Sequence, residues 1–146
     1  MKFQAYKSSC GPAALCNALA ALGIERTEDE LTLLCKTRAE TGTSLRQLLA
    51  AIKAVSTPDQ RLLGEPMRWR TSDQAQVGLW YYIAERGRPV ILCVDRFEHW
   101  VVATGHLGTR FAIIDSSDNR MVIYYTLGEL AERWEGPNGW YHGVIV

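Results

Sequence analysis

Residues 9–23, with the sequence SCGPAALCNALAALG, predict the first helix of the chain and place a cysteine at its start. Apolar residues recur at helical spacing through this stretch, and Gly23 is suited to the left-handed conformation that closes many helices. Ser8 or Ser9 can cap the helix by accepting a hydrogen bond from a first-turn backbone N–H. The cysteine at this predicted N-terminus, Cys10, is therefore the first candidate functional residue.

The remaining sequence predicts helices first and strands second. Polar capping residues open three further predicted helices, over 27–36, 44–55 and 71–87, with a short strand over 67–70. A short apolar run over 89–95 is typical of a buried strand, and strands over 100–105, 111–115, 121–126 and 140–146 follow, with a short helix over 127–134. This order predicts an α+β fold with an antiparallel sheet, in a single domain over 1–146.

Composition and charge exclude several classes of function. A chain of 146 residues is about one domain long, and its formal net charge is zero. A neutral chain gives no support to binding nucleic acid or anionic membranes. No apolar run approaches the roughly 20 residues that a membrane span needs, and polar residues interrupt any signal-peptide core near the N-terminus. We therefore expect a cytoplasmic protein that neither inserts into membranes nor binds nucleic acid.

The four cysteines are predicted to be free thiols. Cys10, Cys16, Cys35 and Cys93 allow two disulfides by count, but disulfides are rare in the cytosol. No pair shows the C-x-x-C or H-x-x-x-H spacing typical of zinc sites. The sequence therefore predicts neither a metal nor a cofactor.

Cys10 is a candidate nucleophile because a helix N-terminus or a neighbouring imidazolium lowers the pKa of a thiol. Gly11 follows it and leaves the approach to the sulfur and to the Cys10 amide open. Gln4 lies six residues earlier, where its amide can donate to a developing oxyanion together with the Cys10 N–H. The alternatives are a small buried cysteine in a turn and a solvated surface glutamine.

Three histidines are candidates for the base that activates Cys10. His142 lies in the last predicted strand and His106 in a predicted turn, whereas His99 begins a strand directly after the buried strand over 89–95. For each, the alternative is a structural histidine in the core or at the surface. The hairpin that His99 begins is what favours it.

This hairpin has a predicted register that pairs His99 with an aspartate. Residues 106–108 fit a three-residue loop that ends on a glycine in the left-handed conformation. That loop pairs Gly105 with Thr109, and counting outward pairs His99 with Asp115. Directly opposite residues share one face of a sheet, so Asp115 can hold one ring nitrogen and leave the other for Cys10.

Four motifs resemble the C39 peptidase family in order and spacing: Gln4, CGPAAL at 10–15, HWVV at 99–102 and IID at 113–115. That family comprises papain-like domains that cleave leader peptides from bacteriocin precursors, often after Gly-Gly. The resemblance implies an N-terminal helical lobe carrying Cys10 as nucleophile and a C-terminal antiparallel sheet lobe carrying His99 and Asp115. It also implies an oxyanion role for Gln4, a peptide or protein substrate, and no cofactor.

The sequence departs from the family pattern in places, and two other functions stay open. Ser9 stands where an acidic residue often precedes the cysteine, and Ser116 where proline is common. No membrane or ATPase segments follow the candidate domain, so a free-standing relative or an excised domain is expected. The same residues can serve an effector that deamidates or transglutaminates a protein glutamine. The other alternative is a catalytically inactive, peptide-binding C39-like domain, which would not need all four candidate residues.

Overall fold

A computed structural model of the chain describes residues 9–118 and 122–146. In these residues the elements follow in the order α1 (Cys10–Ala21), α2 (Glu28–Cys35), α3 (Leu45–Val55), β1 (Glu65–Trp69), α4 (Ser72–Trp80), a π-helical turn (Tyr81–Glu85), β2 (Val90–Val94), β3 (His99–Leu107), β4 (Arg110–Ile114), β5 (Val122–Tyr125), α5 (Leu127–Trp134) and β6 (Tyr141–Ile145). Each predicted helix and strand is present, most with ends shifted by one to three residues.

The described strands form one antiparallel sheet in the order β1-β6-β2-β3-β4-β5. Residues of α1, α2 and α3 pack with one face of this sheet, while α4 and α5 pack with the other. All five residues of β2 are buried between these layers, as its continuous apolar sequence predicts. The predicted α+β fold is confirmed, and α1 lies against the strand that His99 begins.

Most helix ends follow the local signals in the sequence. Thr27 and Ser44 cap α2 and α3 by accepting hydrogen bonds from backbone N–H groups three residues on. Gly23 takes the expected left-handed conformation with φ +78°. Ser9 is different: it precedes α1, but its side chain makes no capping hydrogen bond, so the prediction that it caps the helix is wrong. Ser8 lies outside the described residues.

The β3–β4 hairpin differs from the predicted register. Its loop contains two residues, Gly108 and Thr109, because β3 continues to Leu107 and pairs it with Arg110. The predicted pairing of Gly105 with Thr109 is therefore wrong, and Gly105 pairs with Ala112 instead.

A β-bulge in β3 places Asp115 on the same face of the sheet as His99. The register shifts by one residue between Ala103 and Gly105, which leaves Thr104 as the extra residue. Beyond the bulge Val102 pairs with Ile114, and one further step places Asp115 opposite Val101. Val101 and His99 are two residues apart on one face of β3. Asp115 is therefore the diagonal neighbour of His99, and the predicted direct pairing is wrong.

Candidate active site

Cys10 lies at the N-terminus of α1, where a loop from the helical lobe packs against it. Its residue surface is only 6% exposed. The next residue, Gly11, lies under Thr43: a Cβ added to this glycine would meet the Thr43 Cβ at 2.6 Å. Trp100 Nε1 donates a 2.8 Å hydrogen bond to the Thr43 carbonyl and so joins this loop to β3. A glycine at position 11 therefore permits the close approach of this loop.

His99 connects Cys10 to Asp115. Its Nε2 lies 2.8 Å from Asp115 Oδ1, and its side chain is 13% exposed against 4% for the carboxylate. The ring also makes a hydrogen bond with the Cys10 thiol. Because Nε2 faces the carboxylate, Nδ1 is the ring nitrogen left for the sulfur. The structure thus brings together the three predicted residues that it describes.

Within this group, each residue stabilises the charged form of its neighbour. Burial acts to raise the pKa of Cys10, but hydrogen bonds from His99, the Trp100 backbone and the Gly11 backbone outweigh it and hold the pKa below its ordinary value. Burial acts to lower the pKa of His99, while its contacts with Asp115 and Cys10 raise it to about 9. Both pKa shifts therefore favour a thiolate paired with an imidazolium, the reactive form of a cysteine nucleophile.

Asp115 is held by residues that the sequence did not identify. Ser117 donates to Asp115 Oδ1 from its backbone N–H at 3.0 Å and from its hydroxyl at 2.7 Å. Arg133 Nη2 lies 2.9 Å from Asp115 Oδ2. Burial acts to raise the pKa of Asp115, but its hydrogen bonds with His99 and Ser117 keep the pKa well below its usual range. The carboxylate is therefore ionised and fixed on both oxygens.

The other cysteines lack this environment. Burial raises the pKa of Cys35 to about 12, and burial with the nearby Cys10 and Asp95 raises that of Cys93 to about 12. Cys16 donates to the Arg26 carbonyl. All four cysteines are free thiols. Among the described residues no cluster of His, Cys, Asp and Glu is arranged to hold a metal ion.

The other two histidines lie apart from this group. His106 stacks on Trp80 near the hairpin loop, with ring centroids 4.8 Å apart. His142 packs edge-to-face on Phe97, with centroids 4.9 Å apart, and burial lowers its pKa. Its Nε2 is buried and makes no hydrogen bond with any residue that the structure describes. Neither ring contacts the Cys10 thiol in the way that His99 does.

A cleft borders Cys10 on the side of the helical lobe. One hollow of about 490 Å³ contains Cys10 and continues into a second of about 650 Å³ through shared lining residues: Thr41, Thr43, Phe97 and Trp100. The segment over 42–45, directly before and at the start of α3, thus lines the hollows beside the candidate nucleophile. A groove of this size accommodates several residues of an extended peptide. Gln4 lies outside the described residues, so its predicted oxyanion role stays a prediction.

The fold and the grouping of thiol, imidazole and carboxylate define a papain-like domain. A model of the Peptidase C39 family matches residues 1–137, and the chain therefore belongs to this family. Comparison with curated proteins finds no match. No helix in the part of the chain that the structure describes is long and apolar enough to cross a membrane.

Solved structures agree on the fold. The peptidase domain of Streptococcus ComA, a bi-functional ABC transporter involved in quorum sensing, is 19% identical with a TM-score of 0.71, over 99% of this chain and 96% of that one. A double glycine motif protease from an AMS/PCAT transporter, in complex with the leader peptide, is 19% identical with a TM-score of 0.68, over 99% of this chain and 89% of that one. The peptidase domain of Streptococcus mutans ComA is 18% identical with a TM-score of 0.64, over 100% and 98%. At this identity the likeness establishes the fold.

Proposed function

We propose that this chain is a cysteine peptidase in which Cys10 is the nucleophile, His99 the general base and acid, and Asp115 the residue that orients His99. The observation that carries the proposal is the hydrogen-bonded series from the Cys10 thiol through His99 to Asp115, with the last contact at 2.8 Å. Membership of the Peptidase C39 family supports it. A binding domain has no need of a thiol with a lowered pKa beside an imidazole.

The reaction is acyl transfer in two steps. The Cys10 sulfur attacks the substrate carbonyl carbon, and the carbonyl oxygen takes up negative charge next to the Cys10 N–H. Gln4 is the second oxyanion donor that the family resemblance implies. The carbon–nitrogen bond then breaks as His99 gives its proton to the leaving amine, which leaves a thioester on Cys10. A water molecule attacks the thioester, His99 accepts its proton, and the acid product leaves with Cys10 regenerated.

We infer that the substrate is a peptide cleaved after Gly-Gly. The related domain from the AMS/PCAT transporter is a double glycine motif protease and has been solved with its leader peptide. Thr43 and Trp100 line both hollows beside Cys10, and a hydrogen bond joins these two residues. Glycine has no side chain to meet these walls, so an extended Gly-Gly segment reaches Cys10 without displacing them.

Synthetic peptides with one internal Gly-Gly pair test the proposal, with matched peptides in which either glycine is replaced by valine. Mass spectrometry of the products should show cleavage after Gly-Gly by the wild type, greatly reduced cleavage of the valine peptides, and none by Cys10→Ala. Conversion of a glutamine amide to an acid, with ammonia release and no cleavage, would instead identify a deamidase. Peptide binding without any reaction across a broad peptide set would identify a binding domain.

A second experiment addresses the natural substrate. Cys10→Ala removes only the sulfur and keeps the cleft walls, so it should retain substrate that the wild type releases. Immobilised Cys10→Ala and wild type are incubated with the same lysate, and peptides enriched on the variant alone are sequenced. Enriched peptides that wild type then cleaves after Gly-Gly support the proposal; enriched peptides that it leaves intact contradict it.

A further inference from the structure

Arg133, at the end of α5, joins two carboxylates that stand at the ends of different strands. Its Nε and Nη2 lie 2.8 and 2.9 Å from the two oxygens of Asp95, which follows β2. Its Nη2 also lies 2.9 Å from Asp115 Oδ2, after β4. Its Nη1 donates to the Tyr125 hydroxyl at 3.1 Å. The planar guanidinium presents its N–H donors in a fixed fork, which suits this use of several acceptors at once.

The same residue holds a strained turn that leads into His99. Asp95, Arg96 and Phe97 have φ values of 54°, 58° and 71°, three consecutive non-glycine residues in the left-handed region. The Cβ of a non-glycine residue crowds the backbone in this region, so the conformation persists only where its surroundings enforce it. Besides the side-chain pair, the Asp95 N–H donates to the Arg133 carbonyl at 3.0 Å. Arg133 thus anchors the turn through both its backbone and its side chain.

The contact with Asp115 is largely removed from solvent. The Asp115 side chain is 4% exposed and that of Arg133 is 21% exposed, so water screens this ion pair much less than a surface pair. The exposed fraction of the Asp95 side chain is larger, at 44%, which identifies Asp95 as the outer end of the network. A continuous series of ionic contacts therefore runs from the exposed Asp95 through Arg133 to the buried Asp115, which contacts His99.

We propose that Arg133 is a positioning residue for the Cys10–His99 pair, acting through Asp115 and through the turn over 95–97. The inference rests on the proposed function of Cys10 and His99, but it assigns a role to a residue that neither the motifs nor the family resemblance indicated. Arg133 contacts neither the sulfur nor the imidazole. Its guanidinium fixes the second oxygen of Asp115 and thereby the orientation in which the first oxygen meets His99.

This role gives a definite sign for the loss of Arg133. Releasing Asp115 loosens the imidazole that donates to the Cys10 sulfur, and a sulfur without that donor becomes a thiolate only at higher pH. The loss of Arg133 should therefore raise the pH at which Cys10 becomes a thiolate. Among residues 9–118 and 122–146, the charged and titratable groups around the guanidinium are Asp95, Arg96, His99, Asp115, Tyr125, Glu132 and Glu135.

The experiment measures the rate of Cys10 alkylation by iodoacetamide as a function of pH, with no substrate present. Arg133→Met keeps the aliphatic stem and removes the charge, Arg133→Gln keeps an amide for the carboxylates, and Arg133→Lys keeps the charge without the fork. Arg26→Met is the matched control, because Arg26 also forms an ion pair, with Glu30, away from the cleft. Circular dichroism across the pH range verifies that each variant is folded.

The midpoint of alkylation should rise by at least about 0.5 pH units in Arg133→Met and Arg133→Gln. It should stay within about 0.3 units of wild type in Arg26→Met, and Arg133→Lys, which keeps a charge beside Asp115 but loses the fork, should shift less than Arg133→Met. A folded Arg133→Met or Arg133→Gln with the wild-type midpoint overturns the proposal, as does an equal shift in all four variants. If Arg133→Met does not fold, Arg133→Gln decides. Because the assay needs no substrate, failure here leaves the peptidase proposal standing, and failure of the peptide assays leaves this result unchanged.

Discussion

Replacing Gly11 by alanine tests the packing that forms the wall of the cleft beside Cys10. The added Cβ would lie 2.6 Å from Thr43 Cβ and 2.7 Å from Thr43 Oγ1, whereas ordinary van der Waals contact lies at 3.4–4 Å. Thr43 must therefore retreat by roughly 1 Å. Its carbonyl accepts the Trp100 hydrogen bond, and the residue belongs to both hollows of the cleft, so the displacement reaches the candidate site.

The free energy of unfolding changes through two opposing contributions. Alanine favours helix over glycine by roughly 1 kcal/mol. Overpacking against Thr43 costs roughly 1–3 kcal/mol. Gly128 isolates the second contribution, because it is also the second residue of its helix and a Cβ added there meets nothing within 4 Å. Gly11→Ala should therefore be less stable than Gly128→Ala by roughly 1–3 kcal/mol, with the helix contribution cancelled.

Urea denaturation of wild type, Gly11→Ala and Gly128→Ala measures this difference. The double variant Gly11→Ala with Thr43→Gly adds a check, because it removes the Thr43 Cβ that the new methyl group meets. In a double-mutant cycle, Thr43→Gly should recover part of the free energy of unfolding that Gly11→Ala loses. Thr43→Ser, which keeps that Cβ, should recover much less. If Gly11→Ala is as stable as Gly128→Ala, the close approach of Thr43 to α1 is wrong, together with the cleft wall derived from it.

Four further predictions address the chemistry. Limiting iodoacetamide near neutral pH should label Cys10 before Cys16, Cys35 or Cys93, because only Cys10 has a thiol pKa lowered by an imidazole; peptide mapping checks the order of labelling. Gln4→Ala should lower kcat by roughly 10²–10³ for a cleaved peptide, as expected for loss of an oxyanion donor, with Cys10 alkylation unchanged. Asp115→Asn should reduce kcat/KM strongly and Asp115→Ala still more. Asp118→Asn should leave it nearly unchanged, because Asp118 lies in the turn after β4, where an aspartate side chain usually bonds its own backbone; the opposite ranking would remove Asp115 from the site. The stability that His99 gains from its partners should be complete below about pH 6.5 and should decline as the pH rises through about 9, since its folded pKa is raised; denaturation at several pH values, with Asp115→Asn as the comparison, measures this.

Much of the fold follows from signals that are local in sequence. The caps at Thr27 and Ser44 and the apolar run over 90–94 each determine an element without help from distant residues. The motif around Cys10 and the position of His99 at the start of a strand likewise lie within short stretches. Such features can be recognised because propensity, capping and periodicity agree there.

The predicted register of the β3–β4 hairpin was wrong, yet it identified Asp115 as the carboxylate that contacts His99. At the turn, the observed pairing differs from the predicted pairing by three residues, because the loop has two residues and β3 is longer than predicted. An odd difference would put Asp115 on the opposite face of the sheet from His99. The bulge at Thr104 reduced the displacement to two, an even number that restores the face. Gly105 lies beside the bulge, and a glycine within a strand often marks one, but the predicted strand ended at this glycine, so the diagonal geometry was missed.

Arg133 could not be predicted for a different reason. An arginine in the last turn of a short helix usually serves the helix C-terminus or solvent. Its partners here, Asp95 and Asp115, precede it by 38 and 18 residues and become neighbours only after the sheet and α5 have packed together. The same holds for Gly11, whose contact with Thr43 depends on how the loop before α3 folds back over α1.

The most direct test of the central claim is the detection of an acyl group on Cys10 during turnover. A Gly-Gly peptide ester, whose good leaving group accelerates acylation, is mixed with the chain and quenched in acid, and intact mass and peptide mapping follow. The account predicts a mass increase equal to the acyl group, located at Cys10, absent from Cys10→Ala and decaying as product appears. Cleavage by Cys10→Ala at the wild-type rate, or an acyl group located on another residue, would contradict it.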